Sequence, residues 1–570
     1  MKTIKLNTTI PATRATRTRM KISRLLFVAC LGLLWHQTQA AQFQEATTAA
    51  GLANELGYCI SAAWGDYDQD GYLDLYIAIG ATSTHVNALY HNNRNGTFTK
   101  MTGAQVGPIA TDVHASFGCS WVDLNNDGYP DMLVVNGGWA AAKNDLYMNN
   151  GNGTFRRATG LGRLTDQAMV SSWAACADFD GDGLVDIYLA EGNSTSGPFA
   201  RRLYHANPSG TFKTVDFGPN VSLANDGVWG DYNNDLKPDL YVCDWDSPSS
   251  GLWRNDGQTN FTKMDNGLPW FPPPSGWIGH AAWGDYDNDG FLDIAIFESD
   301  GTHIYRNDGN GNFAEAMNFG VAEIGTPAWA DYDNDGHLDL LLVAGQGAPM
   351  RVYLYRNNGD GTFTAVSEPL TSLSDNWLGG AWGDYDNDGC MDIFLTQEFG
   401  HNRLYHNLGN TNHWIKFRLM GTVSNRDANG AKVRIKATIA GQSIWQMREI
   451  NGGYAVQNDM RPNFGLGDAT NVDLVRIEWP SGIVEELTNV PPAQIVTIVE
   501  PKLKGAIMGD GLFHLSLTMG TNRLYHLETS TDLAHWTALT NCTGSGSCTP
   551  VKFVDPESPS VNSAKFYRMR

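Results

Sequence analysis

The sequence predicts an all-β protein: a seven-bladed β-propeller whose N-terminal strand closes the last blade, followed by two small β-rich domains. Three observations predict it. A nine-residue acidic loop recurs seven times, with starts 57, 55, 53, 54, 46 and 53 residues apart. The same succession of short strands follows each copy. The one strand that the last copy lacks occurs ahead of the first copy, and a repeat of this length with about four strands has the content of a propeller blade.

The loop comes first because its chemistry is the most constrained. "DYDQDGYLD" supplies Asp66, Asp68, Asp70 and Asp74, and "DLNNDGYPD" supplies Asp123, Asn125, Asp127 and Asp131. "DFDGDGLVD" supplies Asp178, Asp180, Asp182 and Asp186. "DYDNDGFLD" supplies Asp285, Asp287, Asp289 and Asp293, and "DYDNDGHLD" supplies Asp331, Asp333, Asp335 and Asp339. "DYDNDGCMD" supplies Asp384, Asp386, Asp388 and Asp392. The fourth copy in chain order, "DYNNDLKPD", departs from the pattern: Leu236 replaces the glycine and Pro238 precedes the last acid, which sets Asp231, Asn233, Asp235 and Asp239 apart. Acidic turns are common because Asp, Asn and Gly favour turns. That accounts for the residue types but not for Asp at positions 1, 5 and 9 of all seven copies. Alternate residues at 1, 3 and 5 face one centre, Gly at 6 permits a sharp turn, and position 9 closes the site. Oxygen-only donors of high negative charge suit a hard cation, Ca²⁺ before Mg²⁺, with the position 7 carbonyl as a further ligand. About six sites are expected, with a structural role. The likeness to an EF-hand stops there, because position 12 is Ile77, Val134, Leu189 or Ile296 inside a strand rather than a glutamate.

Each loop leads into an apolar run such as "LYIAIG" or "LLLVAG", then a strand containing "LYHNN", "LYMNN", "LYRNN" or a close variant, then an Asn/Gly turn and a strand such as "GTFT". The seventh copy runs from "LYHNLGN" straight into "TNHWIKF", while "AQFQEATTAAGL" near the N-terminus aligns with "GTFTKMTGAQVG", Phe43 matching Phe98. Trp64, Trp121, Trp229, Trp283, Trp329 and Trp382 each stand two residues before a loop. A recurrent structural register points to indoles wedged between blades rather than to sugar-stacking platforms.

Bulk properties bound the function. The chain has 570 residues with 62 glycines, 11% aromatics and a formal charge of −22, which argues against nucleic acid and anionic membranes as partners. The first 40 residues carry seven basic side chains and no acid, then "LLFVACLGLLW" and "TQA". This reads as a secretory signal cleaved near Ala40, with Met20 an alternative start, and a mature charge of −29. No later run approaches the roughly 18 apolar residues of a membrane span. Seven cysteines then remain; Cys542 and Cys548 could close a loop, and Cys59, Cys119, Cys176, Cys243 and Cys390 are expected to be buried thiols.

The repeated "DxDxDGxxD" loops resemble FG-GAP/VCBS-type repeat proteins, whose propeller blades carry calcium loops like those of integrin α-subunit heads. The resemblance covers roughly residues 43–410, so the propeller domain is set at 41–410. The stretch with "NGAKV", "REINGGYAVQN", "FGLG" and "WPSG" resembles the ASPIC/UnbV domain, set at 411–501 and β-rich by its alternation in "VRIKATI" and "VRIEW". Propeller and ASPIC/UnbV domain together are similar to the cartilage acidic protein family and its bacterial relatives. The last segment, 502–570, resembles small β-sandwich modules at the ends of secreted bacterial proteins.

These resemblances imply a secreted or cell-envelope-exterior, non-enzymatic calcium-binding protein, a monomer that presents a surface to an extracellular protein or glycan. Two alternatives stand beside it: a polysaccharide-active enzyme using the propeller axis, and a scaffold assembling partners through the C-terminal modules. Ser481 in "WPSG" has no partner that the sequence positions and no GxSxG context, so a turn is expected there. His91, His205 and His406 repeat beside "LY", as residues serving each blade alike would. His114, His280 and Glu298 do not repeat and have no visible partners, and "WFPPPSGWIGH" at 270–280 reads as a rigid connector.

Overall fold

Each repeat folds into one antiparallel sheet of four short strands. The first repeat shows why. Its innermost strand, Cys59–Gly65, is largely apolar on both faces and buried up to its last residue, as a strand packed between neighbours must be. The acidic loop turns the chain into Asp74–Ile79, also buried, then Ala88–Asn92 and finally Phe98–Lys100, where only the phenylalanine is covered. The computed structural model describes residues 42–570 except 54–55, 81–84, 138–140, 193–199, 217–223, 245–249, 270–277, 321–324, 345–349, 399, 452–456, 508–512, 519–523, 531–536, 544–550, 555–565 and 570. The expected signal segment, most of the "WFPPPSGWIGH" stretch and Cys548 lie outside the described residues.

Among the described residues the repeats form seven such sheets, one of them extended by a fifth short strand. The innermost strands pack side by side in chain order, and the last, Trp377–Gly383, packs on the first, Cys59–Gly65. The apolar cores lie between successive sheets. Leu75, Ile77 and Phe98 of the first sheet share one such core with Ala381, Phe394 and Leu404 of the last, which closes the ring. The closing strand is Phe43–Glu45, with Phe43 opposite Asn407 just as Phe98 stands opposite Asn92.

The tryptophans before the loops are packing residues. The indole NH of Trp121, Trp229, Trp283, Trp329 and Trp382 donates to a carbonyl of the preceding sheet, for example Trp229 to Ala175 at 3.2 Å. The glycine after Trp64, Trp229, Trp283 and Trp382 makes room for the next indole: a Cβ on Gly65 would lie 2.4 Å from Trp121 Cδ1, and one on Gly383 would lie 2.7 Å from Trp64. Gly65→Ala is therefore expected to cost about 2 kcal/mol through overpacking, measurable as a lower urea midpoint with an unchanged slope.

After the ring the chain builds a two-sheet sandwich. Asn463–Gly467, His413–Met420 and Ile495–Val499 form one sheet, and Gln442–Glu449, Lys432–Ile439, Val472–Glu478 and Val484–Val490 form the other. Ile415, Phe417, Val433, Ile435, Phe464 and Trp479 fill the space between them. Ser481 lies in the turn joining two of these strands, where Gly482 N donates to the Trp479 carbonyl. Two three-stranded sheets follow within 502–569. Cys59, Cys119, Cys176, Cys243 and Cys390 are buried thiols outside any disulfide. Among the described residues no helix is long and apolar enough to cross a membrane.

Candidate metal centres

Every acidic loop joins the innermost strand of its sheet to the second, and its fold is dictated by the first and last aspartates. In the fifth loop Asp285 Oδ1 accepts from Asp289 N at 3.0 Å and its Oδ2 from Gly290 N at 3.2 Å. Asp293 accepts from Tyr286 N at 3.3 Å and, through its other oxygen, from Asn307 N of the third strand at 2.7 Å. The same bonds recur at Asp123, Asp131, Asp331 and Asp339. Position 4 takes a left-handed backbone throughout, as at Gln69, Asn126, Asn234, Asn288, Asn334 and Asn387. That conformation suits Asn, whose short side chain tolerates it.

Position 4 also links five of the seven loops to the next. Asn126, Asn234, Asn288 and Asn334 donate to the position 6 carbonyl of the following loop, and Asn387 of the last loop donates to Gly71 of the first at 2.9 Å. A second belt comes from the Asn of the "LYxN" strand. Asn357 Nδ2 donates to the Leu338 carbonyl of its own sheet and the Tyr286 carbonyl of the preceding one, and Asn92, Asn149, Asn255, Asn307 and Asn407 do likewise. The third repeat has Ala206 there and keeps only the backbone bond to Asp186. Sequence reasoning saw this Asn as a strand marker and missed its bridging role, although its fixed place two residues after the Tyr or Trp of the strand in six of the seven copies was a usable signal.

In the first loop the carboxylates of positions 1, 3 and 9 come together. One oxygen each of Asp66, Asp68 and Asp74 lies within 4.8 Å of the others. Asp66 Oδ1, Asp333 Oδ1 and Asp384 Oδ1 are buried with no protein partner, which fits a cation at the loop centre. Burial pushes the closing acids up: Asp74 to about 7, Asp131 to about 8 and Asp186 to about 9, with the neighbouring carboxylates adding to the shift. Burial likewise lifts Asp285 to about 7. These acidic clusters can hold metal ions, and their all-oxygen donor set matches a hard divalent cation.

The residue before the bridging Asn faces the same carboxylates. Arg306 pairs with Asp287 and Asp289, and Arg356 with Asp333 and Asp335 at 2.7 Å each. His91, His205 and His406 approach Asp68, Asp180 and Asp392 respectively. The repeated histidines thus serve their three blades alike, as partners of the loop acids, a role spacing alone did not reveal.

The fourth loop keeps the common geometry despite its sequence. Asp231 accepts from Asp235 N and Leu236 N, and Leu236 sits at φ 66°, where the other loops have glycine. Its carboxylate meets the buried Lys432 ammonium at 2.7 Å. Leu236→Gly is expected to stabilise the chain by about 1 kcal/mol through relief of the left-handed backbone, read as a rise in melting temperature.

His114, His280 and Glu298 prove to have partners: Asp145, Asp226 and the Tyr305 hydroxyl. Each lies away from the acidic loops, His114 just ahead of the inner strand of the second sheet and His280 and Glu298 both in the fifth sheet.

A profile of the FG-GAP-like repeat matches residues 66–134, 123–189, 178–242, 231–296, 286–342 and 331–395, more than half of the chain. The protein belongs to the FG-GAP-like repeat family. A second profile, ASPIC and UnbV, matches residues 421–505. No curated protein matches the chain. Among solved structures, an Agrocybe aegerita protein described as recognising non-reducing terminal N-acetylglucosamine is 18% identical over 56% of this chain and 82% of its own, with a TM-score of 0.42. BBS1N in complex with ARL6DN is 11% identical over 62% and 94%, with a TM-score of 0.39. A Bacillus licheniformis rhamnogalacturonan lyase is 11% identical over 62% and 72%, with a TM-score of 0.34.

Proposed function

We propose that this FG-GAP repeat propeller is an exported, non-enzymatic calcium-binding protein whose seven-bladed ring offers a rigid surface to an extracellular protein or glycan. The observation that carries the reading is the loop geometry: carboxylates of positions 1, 3 and 9 converge in the first loop, those of positions 3 and 5 converge in the first, third and seventh, and Asp66, Asp333 and Asp384 each keep a buried oxygen with no protein partner. When bound, the ions supply charge neutralisation and rigidity. Asp66, Asp68, Asp70 and Asp74 would hold one of them, and the matching residues of the second, third, fifth, sixth and seventh loops would hold the others. The side chains that face the ions are acids already fixed by backbone amides, which is a binding arrangement rather than a catalytic one.

The test is a glycan array and an extracellular-protein panel probed with the labelled mature chain, with and without EGTA. Calcium-dependent capture of one glycan or protein class, with no bond cleavage, is the expected result. Release of new reducing ends from a polysaccharide would overturn the non-enzymatic reading and direct attention to His280 and Asp226, 3.0 Å apart at the far end of the ring.

A further inference from the structure

The motifs of the second domain contain residues that its own core does not explain. Asn429 and Lys432 of "NGAKV", Gln457 of "REINGGYAVQN" and Gly465 of "FGLG" are all turned onto the ring. Asn429 donates to the Cys176 carbonyl at 3.0 Å, and Gln457 exchanges backbone and side-chain hydrogen bonds with Ala62, Trp64 and Trp121.

The decisive contacts fall on the first aspartate of the loops, and on one oxygen of it. Asp384 Oδ2 accepts from its own loop's Gly389 N at 3.1 Å and from Lys416 Nζ at 2.8 Å. Asp231 Oδ2 accepts from Leu236 N at 2.8 Å and from Lys432 Nζ at 2.7 Å. Asp331 Oδ2 accepts from Gly336 N at 2.8 Å and from Gly465 N at 3.0 Å. Asp66 Oδ2 accepts from Gly71 N and lies 3.4 Å from Arg418. Lys416 and Lys432 are fully buried. The opposite oxygens of Asp66 and Asp384 have no protein partner and are left for the loop centre.

The domain also reads the shape of the loops. Arg461 donates to the Gly71 and Asp384 carbonyls and to Asn387 Oδ1. Arg434 donates to the Gly290 carbonyl and Asn234 Oδ1, and Gly467 N donates to the Asn334 carbonyl. These acceptors sit where they do because position 4 is left-handed.

From this geometry we infer that cation loading of the loops and docking of the ASPIC/UnbV domain on the ring are thermodynamically coupled, each strengthening the other. The inference rests on the metal reading above. A loop of four carboxylates that holds one divalent ion keeps a net negative charge, so the lysines and arginines remain attracted. The loaded loop is also fixed in the conformation whose carbonyls and amide oxygens the domain grips. By linkage, the domain in turn raises cation affinity by the same factor, for which about 5- to 150-fold is typical.

Hydrogen exchange on the full mature chain, at a temperature where both forms stay folded, tests this alongside a metal count. With EGTA, the amides of Gln457, Asp459, Gly465 and Gly467 are expected to exchange at least about tenfold faster, a change of about 1.4 kcal/mol in local opening. The ladder between Lys432–Ile439 and Val472–Glu478 stays protected in the same experiment. Faster exchange at Gly71, Gly128 and Gly290 with no change at the four interface amides would overturn the coupling and leave the metal reading standing. No bound calcium and no change at any of these amides would overturn both.

Discussion

Stripping divalent cations with EGTA at pH 8 is expected to lower the melting temperature by on the order of ten degrees, and the loss to shrink as the pH falls towards 5. A site with a dissociation constant a hundredfold below ambient calcium contributes about 2.7 kcal/mol, and the proposed function places about six such sites on one ring. The pH dependence follows from the closing acids. Asp74, Asp131 and Asp186 are pushed by burial to about 7, 8 and 9 in the folded chain, against 3.8 for an ordinary aspartate. Folding therefore favours their protonated forms. Without a cation the folded state carries no penalty from these groups at pH 4, and incurs it progressively as the pH rises from there through 7 to 9. His406, raised to about 9 chiefly by its hydrogen bond to Asp392, moves stability in the same direction, because its charged form is the one the fold favours. Melting curves from pH 5 to 8 with and without EGTA check both sign and size; a metal-free form that gains stability with rising pH contradicts the account.

Gly465→Ala is expected to destabilise the junction of ring and second domain by about 3 kcal/mol. A Cβ there would stand 2.1 Å from Asp331 Oδ2 and 2.3 Å from the Asn334 carbonyl carbon, so loop backbone would have to move. The shift would also break the Gly465 N bond to Asp331, a carboxylate that is already fully enclosed. Calorimetry should resolve two transitions where the parent shows closer coupling, and proteolysis between residues 407 and 413 should accelerate. An unchanged melting profile would show that the contact is slack.

The repeat and its closure were legible because each rests on local pattern. Four acids in register can be counted, and the match of Phe43 to Phe98 was visible in the strands flanking them. The packing role of Trp229 and Trp382 was also readable, since an indole at one register in successive blades has a neighbour at one register. What remained hidden depends on contacts across blades or domains. Nothing local to Asn357 says that its amide spans to Tyr286 of the preceding sheet, and nothing in "NGAKV" says that Lys432 ends on Asp231. The fourth loop shows the limit from the other side. Leu236 breaks the sequence pattern, yet the two Asp231 hydrogen bonds hold the backbone in the common shape. Likewise His280 and Asp226 are far apart in sequence and meet only because adjacent inner strands bring them together.

The most direct test of the central claim is a metal count on the purified mature chain, by elemental mass spectrometry after dialysis against calcium-containing buffer and removal of free ions. The account requires about six calcium ions per chain, lost on EGTA treatment and recovered on readdition. A chain that retains no calcium, and melts identically with and without EGTA, would show that the aspartate loops are turns held by their own amides and arginines alone.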